Sequence, residues 1–393
     1  MLEKYREYQD NYLRKNKIKY KRYFYNQIDF NNKLVGILGA RGVGKTTFLL
    51  QYLKELKIPM SQKLYISADN ISIYSLFEIA REFSKEEGKL LIIDEIHKYP
   101  NFEIELKQIY DMFDLKVVFS GSCALKIDNA KGDLSRRAII YEVDGMSFRE
   151  FLELKLKITL PIFSLDEILE NHIDIAYELL EKFNLKLNFK EYLEKGYYPF
   201  YFEDTKNYLI RLNNTINTVI ETDIPSIFPI EYHNVLMLKK LIYLICESQP
   251  YTPNVKTLLE KIGMKNNYQA FYKFLYYLEK SKILRNIRPK TRGDNIFTKP
   301  DKIYLNNTNI HYAYCNNREI GTIREVFFAS MIKDLECSNK GDFIVNNKYI
   351  FEIGGKNKTR KQIKGIENSF IIADDIEIGT ANKIPLWLFG FLY

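Results

Sequence analysis

The sequence contains no apolar run approaching the roughly 20 residues that span a bilayer. Its longest candidate, LWLFGFLY at 386–393, is far too short. The first residues are charged and supply no apolar stretch for a signal peptide. Cysteine is scarce. Cys123, Cys246, Cys315 and Cys337 lie far apart without a C-x-x-C pair, which argues against a disulfide framework and a cysteine-rich zinc site and fits a reducing compartment. His97, His172, His233 and His311 are equally dispersed, which excludes an H-E-x-x-H metalloprotease. No internal repeat and no low-complexity linker interrupts the chain. These absences leave a soluble, cytoplasmic protein with no membrane partner as the expectation.

What is present is ordinary globular composition, 46% hydrophobic and 27% charged over 393 residues. That length predicts two to four domains, each able to bury a core. The net charge of +8 is only mildly basic. Two basic clusters stand out: residues 1–22, with eight basic and three acidic side chains, and GGKNKTRKQIKG at 354–365. Each suits either phosphate contact or a solvated face.

Along the chain, a Tyr-rich helical lead-in precedes KLVGILGARGVGKTTFLLQYLKEL, which reads as strand, glycine turn and helix. LYISAD, KLLIIDEIHKYP and LKVVFSGSC are short apolar strands separated by helical stretches. Such alternation predicts an α/β fold with a parallel, helix-flanked sheet running to about residue 150. The pattern then turns helical. NVKTLLEKIGM and YQAFYKFLYYLEKSKIL, followed by two strand-like runs, fit a winged helix. The last stretch is a small α/β unit.

Gly39-Ala40-Arg41-Gly42-Val43-Gly44-Lys45-Thr46 matches G-x-x-x-x-G-K-[ST] between a strand and a helix. Glycines let backbone N–H groups close around phosphate oxygens, and the helix start adds a favourable field. Residues 39–46 with Thr47 are therefore the expected ATP cradle. Lys45 is expected on the β/γ phosphates and Thr46 on Mg²⁺. Asp94, at the end of LLIIDE, is the second expected Mg²⁺ holder, and Glu95 the base for the attacking water. Ser120 and Ser122 are candidates for a hydroxyl near the γ-phosphate. Arg136 and Arg137 are candidates for an arginine finger, in cis or across a subunit interface, which would imply a homo-oligomer. His97 reads as a loop residue.

The Walker pair with FSGSCALKI, LSRRA, MSFREFL, YLEKGYYPF and VIETDIPSIF resembles a large family of bacterial and archaeal AAA+ ATPases that carry a C-terminal domain of unknown function. KGYYP departs from the family, which often shows two glycines there. The resemblance implies an AAA+ core at 31–150 after the 1–30 lead-in, a helical lid or linker at 151–245, a winged helix-turn-helix at 246–305 and a degenerate restriction-nuclease-like module at 306–393, expected to make contacts rather than to cleave. That last module resembles the PD-(D/E)xK fold, with Glu325, Asp342 and Glu352 as its carboxylates. Gly354 stands where its lysine belongs, leaving Lys356 or Lys358 to reach back. NNK at 346–348 supplies a turn that would put Asp342 and Glu352 on neighbouring strands.

DNA is a candidate partner through the 354–365 segment and through Asn266, Asn267, Gln269, Lys273 and Lys280 of the second winged-helix helix. The expected function is a Mg²⁺-dependent ATPase whose nucleotide state controls a DNA- or protein-binding module. The alternatives are a slow ATPase switch or scaffold without nucleic acid, and an ATPase-regulated endonuclease.

Overall fold

LVGILG is apolar and buried along its whole length, the mark of a parallel strand covered on both faces. In the computed structural model, which describes residues 1–17, 19–71, 74–121, 134, 136–228, 230–247, 254–264, 267–288 and 299–393, it becomes the second-last strand of a five-stranded sheet. The chain runs α1 (Leu2–Lys15), β1 (Leu34–Gly39), α2 (Lys45–Glu55), β2 (Lys63–Ser67), α3 (Leu76–Lys85), β3 (Leu90–Asp94), α4 (Phe102–Met112), β4 (Lys116–Gly121) and β5 (Ala138–Val143). The strand order is β2-β3-β4-β1-β5 and every pairing is parallel. The strands and helices therefore alternate as the apolar runs imply. The described residues divide into two compact units, Met1–Gly145 and Met146–Tyr393.

Helix α1 covers the outer edge of β2. Leu2 and Tyr5 are buried there, and the Gln9 Oε1 accepts the Tyr65 main-chain N–H at 2.7 Å. An edge strand thus finds a partner for one of its outward amides. The basic lead-in also sends one charge inward. Buried Arg22 donates to Val43 O of the glycine loop at 2.8 Å and to Asp144 O at 3.1 Å.

In the second unit come α5 (Phe148–Leu156), α6 (Leu165–Leu180), α7 (Leu185–Lys195), α8 (Tyr208–Thr218), α9 (Tyr232–Cys246), α10 (Val255–Ile262) and α11 (Tyr268–Lys280). The SFRE signature is a capping box. Ser147 Oγ accepts the Glu150 N–H, and the Glu150 carboxylate accepts the Ser147 N–H. The GYYP segment is tied by Asn309, whose amide donates to Tyr192 O and Leu193 O at the end of α7 and whose oxygen accepts the Tyr197 N–H at 2.8 Å.

After α11 the antiparallel pair β6 (Leu284–Ile287) and β7 (Lys302–Leu305) leads to α12 (Thr308–Tyr314) and α13 (Ile320–Met331). Strands β8 (Leu335–Cys337), β9 (Phe343–Val345), β10 (Tyr349–Gly354), β11 (Ser369–Ala373) and β12 (Lys383–Pro385) form a second sheet in the order β12-β11-β10-β9-β8. Asn346 and Asn347 take positive φ and turn β9 antiparallel onto β10.

One expectation is corrected here. Cys246 and Cys315 form a disulfide between the end of α9 and the residue after α12. The wide spacing that spoke against a disulfide framework hides this single pair, because packing of α9 near α12 brings together residues 69 positions apart.

Candidate nucleotide-binding site

The glycine loop leaves β1 and enters α2 through two left-handed residues, Gly42 (φ 86°) and Gly44 (φ 96°), a conformation that side chains disfavour. Gly39 is held by closeness instead. A Cβ there would lie 2.5 Å from Val143 O of β5. Buried Lys45 donates to Gly39 O and Ala40 O, both at 3.0 Å, so its ammonium lies back along the loop.

Parallel register places the end of β3 beside the ends of β4 and β1. Asp94 closes β3, 2% exposed. Its Oδ2 accepts Thr46 Oγ1–H at 2.6 Å and Tyr65 Oη–H at 2.8 Å, and its Oδ1 accepts the Ser120 hydroxyl. Glu95 is left-handed (φ 55°), and its N–H donates to Ser120 Oγ at 3.1 Å and Asp94 Oδ1 at 3.2 Å. Its carboxylate lies 3.6 Å from Nε2 of buried His97. A hydroxyl at a helix start facing a strand-end carboxylate is a hard-oxygen pair suited to Mg²⁺, which takes one or two protein oxygens and completes its shell with phosphate and water. The residues present therefore fit both ATP and Mg²⁺.

Lys45, Thr46, Asp94, Glu95 and Ser120 are thus brought together at one end of the sheet. Ser120 is fully buried and engaged with Asp94 and the Glu95 amide. Ser122 lies outside the described residues. Tyr65 and His97 complete the group and were not singled out by motif. Burial first, then the adjacent Asp94 carboxylate, raise the Tyr65 hydroxyl's pKa and keep it a donor.

Arg136 and Arg137 require a correction. They precede β5, whose first residue pairs with Leu34 at the start of β1. The glycine loop leaves the other end, so the length of a six-residue strand, roughly 20 Å, separates them. Arg137 is held there by Asp111 through two bonds of 2.9 and 3.0 Å, while Arg136 is exposed. Neither can act on a phosphate in the same subunit in this arrangement.

In the second unit, Glu325 of α13 and Asp342 before β9 share one ammonium, that of Lys302 on β7, with both contacts at 3.1 Å. Tyr304 Oη–H donates to Glu325, and the Ile353 N–H donates to Asp342 Oδ2 at 2.8 Å. Glu352, 1% exposed, pairs with Lys358. Lys356 is exposed, and the lysine that reaches Glu352 is Lys358. Burial raises the Glu325 and Glu352 carboxyl pKa values, against the pull of Lys302 and Lys358. Burial lowers that of Lys302, but Glu325 and Asp342 outweigh it and the net direction is up. Among the described residues no group of three or more His, Cys, Asp or Glu is disposed to hold a metal.

On α11, Gln269 and Lys273 are exposed. Asn267, also exposed, accepts the Ala270 N–H on its side-chain oxygen and caps the helix. Asn266 and residues 289–298, the tip of the expected wing, lie outside the described residues. Among the described residues no helix is long and apolar enough to cross a membrane.

The parallel sheet, the glycine loop and the strand-end carboxylates define a P-loop nucleotide-binding domain of AAA+ type. Residues 31–152 match the family model described as an AAA domain, in keeping with the fold of the N-terminal unit. Residues 186–319 match a domain of unknown function. An uncharacterized protein of Methanocaldococcus jannaschii is 27% identical over 408 aligned positions, covering 92% of this chain and 84% of the relative. Among solved structures, C. elegans PCH-2 aligns at 16% identity and TM-score 0.25, over 65% of this chain and 65% of its own length. AMPPCP-bound DnaA from Aquifex aeolicus aligns at 15% and 0.25, over 66% of this chain and 85% of its own.

Proposed function

We propose that the chain is a Mg²⁺-dependent ATP hydrolase whose nucleotide state governs a C-terminal module that binds DNA or protein. The observation that carries the catalytic part is the convergence of Thr46, Ser120 and the Glu95 amide on Asp94 beside the glycine loop. Bound Mg²⁺ would draw charge from the phosphates and leave the terminal phosphorus open to in-line attack. Lys45 binds phosphate, Thr46 and Asp94 present oxygen to the cation, and Glu95 orients a water and takes its proton. His97, 3.6 Å away, sets the Glu95 carboxylate. Arg136 or Arg137 would act only on a neighbouring subunit's nucleotide.

In this reading residues 246–305 are a winged helix and 306–393 a nuclease-like module that binds without cutting. Lys302 favours that form, because an ammonium already lies between the two carboxylates a catalytic cation would need. The deciding experiment compares ATPase rates alone and with duplex DNA, single-stranded DNA or RNA. Stimulation by one nucleic acid, lost with rising salt, supports a nucleic-acid module. A measurable rate indifferent to all three leaves the protein-binding switch. Absence of any rate sinks the hydrolase. Efficient Mg²⁺-dependent cleavage abolished by Glu352→Ala would establish the endonuclease instead.

A further inference from the structure

Asp94 can accept about four hydrogen bonds, and four donors reach it. Thr46 comes from the start of α2, Ser120 from the end of β4, and the Glu95 amide from the next residue. The fourth, Tyr65 Oη–H at 2.8 Å, comes from the middle of β2, and no nucleotide motif accounts for it. Tyr65 is 1% exposed. Its main-chain N–H is taken by Gln9, and its ring lies 5.3 Å from that of Tyr12. Both partners belong to α1. The helix that covers the sheet edge therefore fixes the phenol, and the phenol fixes the carboxylate.

We propose that Tyr65 is a positioning residue for the cation-holding carboxylate, and that α1 is part of the nucleotide site through Gln9 and Tyr12. The inference rests on the assignment of Thr46 and Asp94 to Mg²⁺. The Thr46 oxygen gives a lone pair to the cation while its hydrogen stays on Oδ2, so its position then follows the ion. Tyr65 is the donor on that oxygen whose place does not depend on the ion, and it keeps the carboxylate from rotating out of the metal's reach. Groups that orient a metal-binding carboxylate in this way change metal affinity by about 10–100-fold when removed.

The test is Tyr65→Phe, which keeps the ring and removes only the hydroxyl. Mn²⁺ is titrated into protein saturated with ADP and free ion is read by electron paramagnetic resonance; fluorescent ATP-analogue binding is measured in EDTA. The expected result is Mn²⁺ affinity weaker by about tenfold, with nucleotide affinity in EDTA within about twofold of the natural protein. Gln9→Ala, which loosens Tyr65 from behind, is expected to shift Mn²⁺ affinity in the same direction by a smaller factor. A merely structural role would weaken nucleotide binding in EDTA as well, and that result overturns the proposal. Unchanged Mn²⁺ affinity in Tyr65→Phe also overturns it. If the natural protein itself shows no nucleotide-dependent Mn²⁺ binding, the Mg²⁺ assignment fails instead, and the two failures are distinguishable.

Discussion

Asp94 and Glu325 are both buried carboxylates, but their surroundings differ in kind. Asp94 accepts hydrogens from three hydroxyls and a main-chain amide. Glu325 shares a lysine ammonium with Asp342, and Glu352 has a lysine of its own. Neutral donors orient a carboxylate without cancelling its charge, so the first arrangement still attracts a cation. An ammonium in the low-dielectric interior does both, and the second arrangement carries its cation with it. Buried carboxylates gathered by the fold therefore do not by themselves make a metal site; the charge of their partners decides.

The largest effect is expected at the phosphate cradle. Lys45→Ala should lower ATP affinity by at least about 100-fold, since a charge-assisted contact to phosphate is lost, and equilibrium binding of a fluorescent analogue measures it. Retained affinity would break the nucleotide side of the comparison. Glu95→Gln should cut turnover by about 10²–10⁴-fold while binding stays intact, because the shape is kept and the base removed; single-turnover hydrolysis reads it.

Lys302→Met converts the second arrangement toward the first. It should destabilise the chain by about 3 kcal/mol near pH 8, the cost of stranding buried charge, as read by denaturant unfolding. The sign with pH follows from Glu325, whose pKa in the fold lies above its ordinary value. Such a group favours the folded state once protonated, so the defect should shrink as pH falls through that raised pKa. Millimolar Mg²⁺ should then stabilise the variant but not the natural protein. A defect independent of pH would mean the three charges are not coupled. The smallest effect is expected from Arg136→Ala with Arg137→Ala. Nucleotide affinity should be unchanged, and any loss of turnover should be restored by mixing with Lys45→Ala subunits. Full activity in dilute monomer would remove both arginines from the reaction.

The nucleotide site was legible because its residues are contiguous or end strands that announce themselves as apolar runs. LVGIL, LLIID and VVFSG cannot be read otherwise, and a parallel sheet brings their ends together. Tyr65 was invisible for the opposite reason: nothing in LYISAD marks one tyrosine, and its contacts are 29 residues away at Asp94 and 56 at Gln9. Lys302 was missed because it lies outside the stretch that carries the carboxylates. Lys356 and Lys358 both follow Glu352 closely enough to reach back, and the turn after Gly354 brings Lys358 to it. Arg136 and Arg137 have the residue type for a finger. Only the register of β5 against β1 reveals which end of the sheet they occupy.

The strand order also sets a timetable for synthesis. β2, β3 and β4 pair in succession, Lys63 with Leu90 and Leu90 with Lys116. β1 must wait for Val117, 83 positions beyond Leu34. At roughly 5–20 residues per second, LVGIL leaves the ribosome about 4–17 s before its first strand partner exists. The strand that leads into the phosphate cradle is therefore the earliest strand made and, of the first four, the one that waits longest for a strand partner. On a ribosome stalled before residue 116, protease should cut within 34–39 in chains where the completed protein resists.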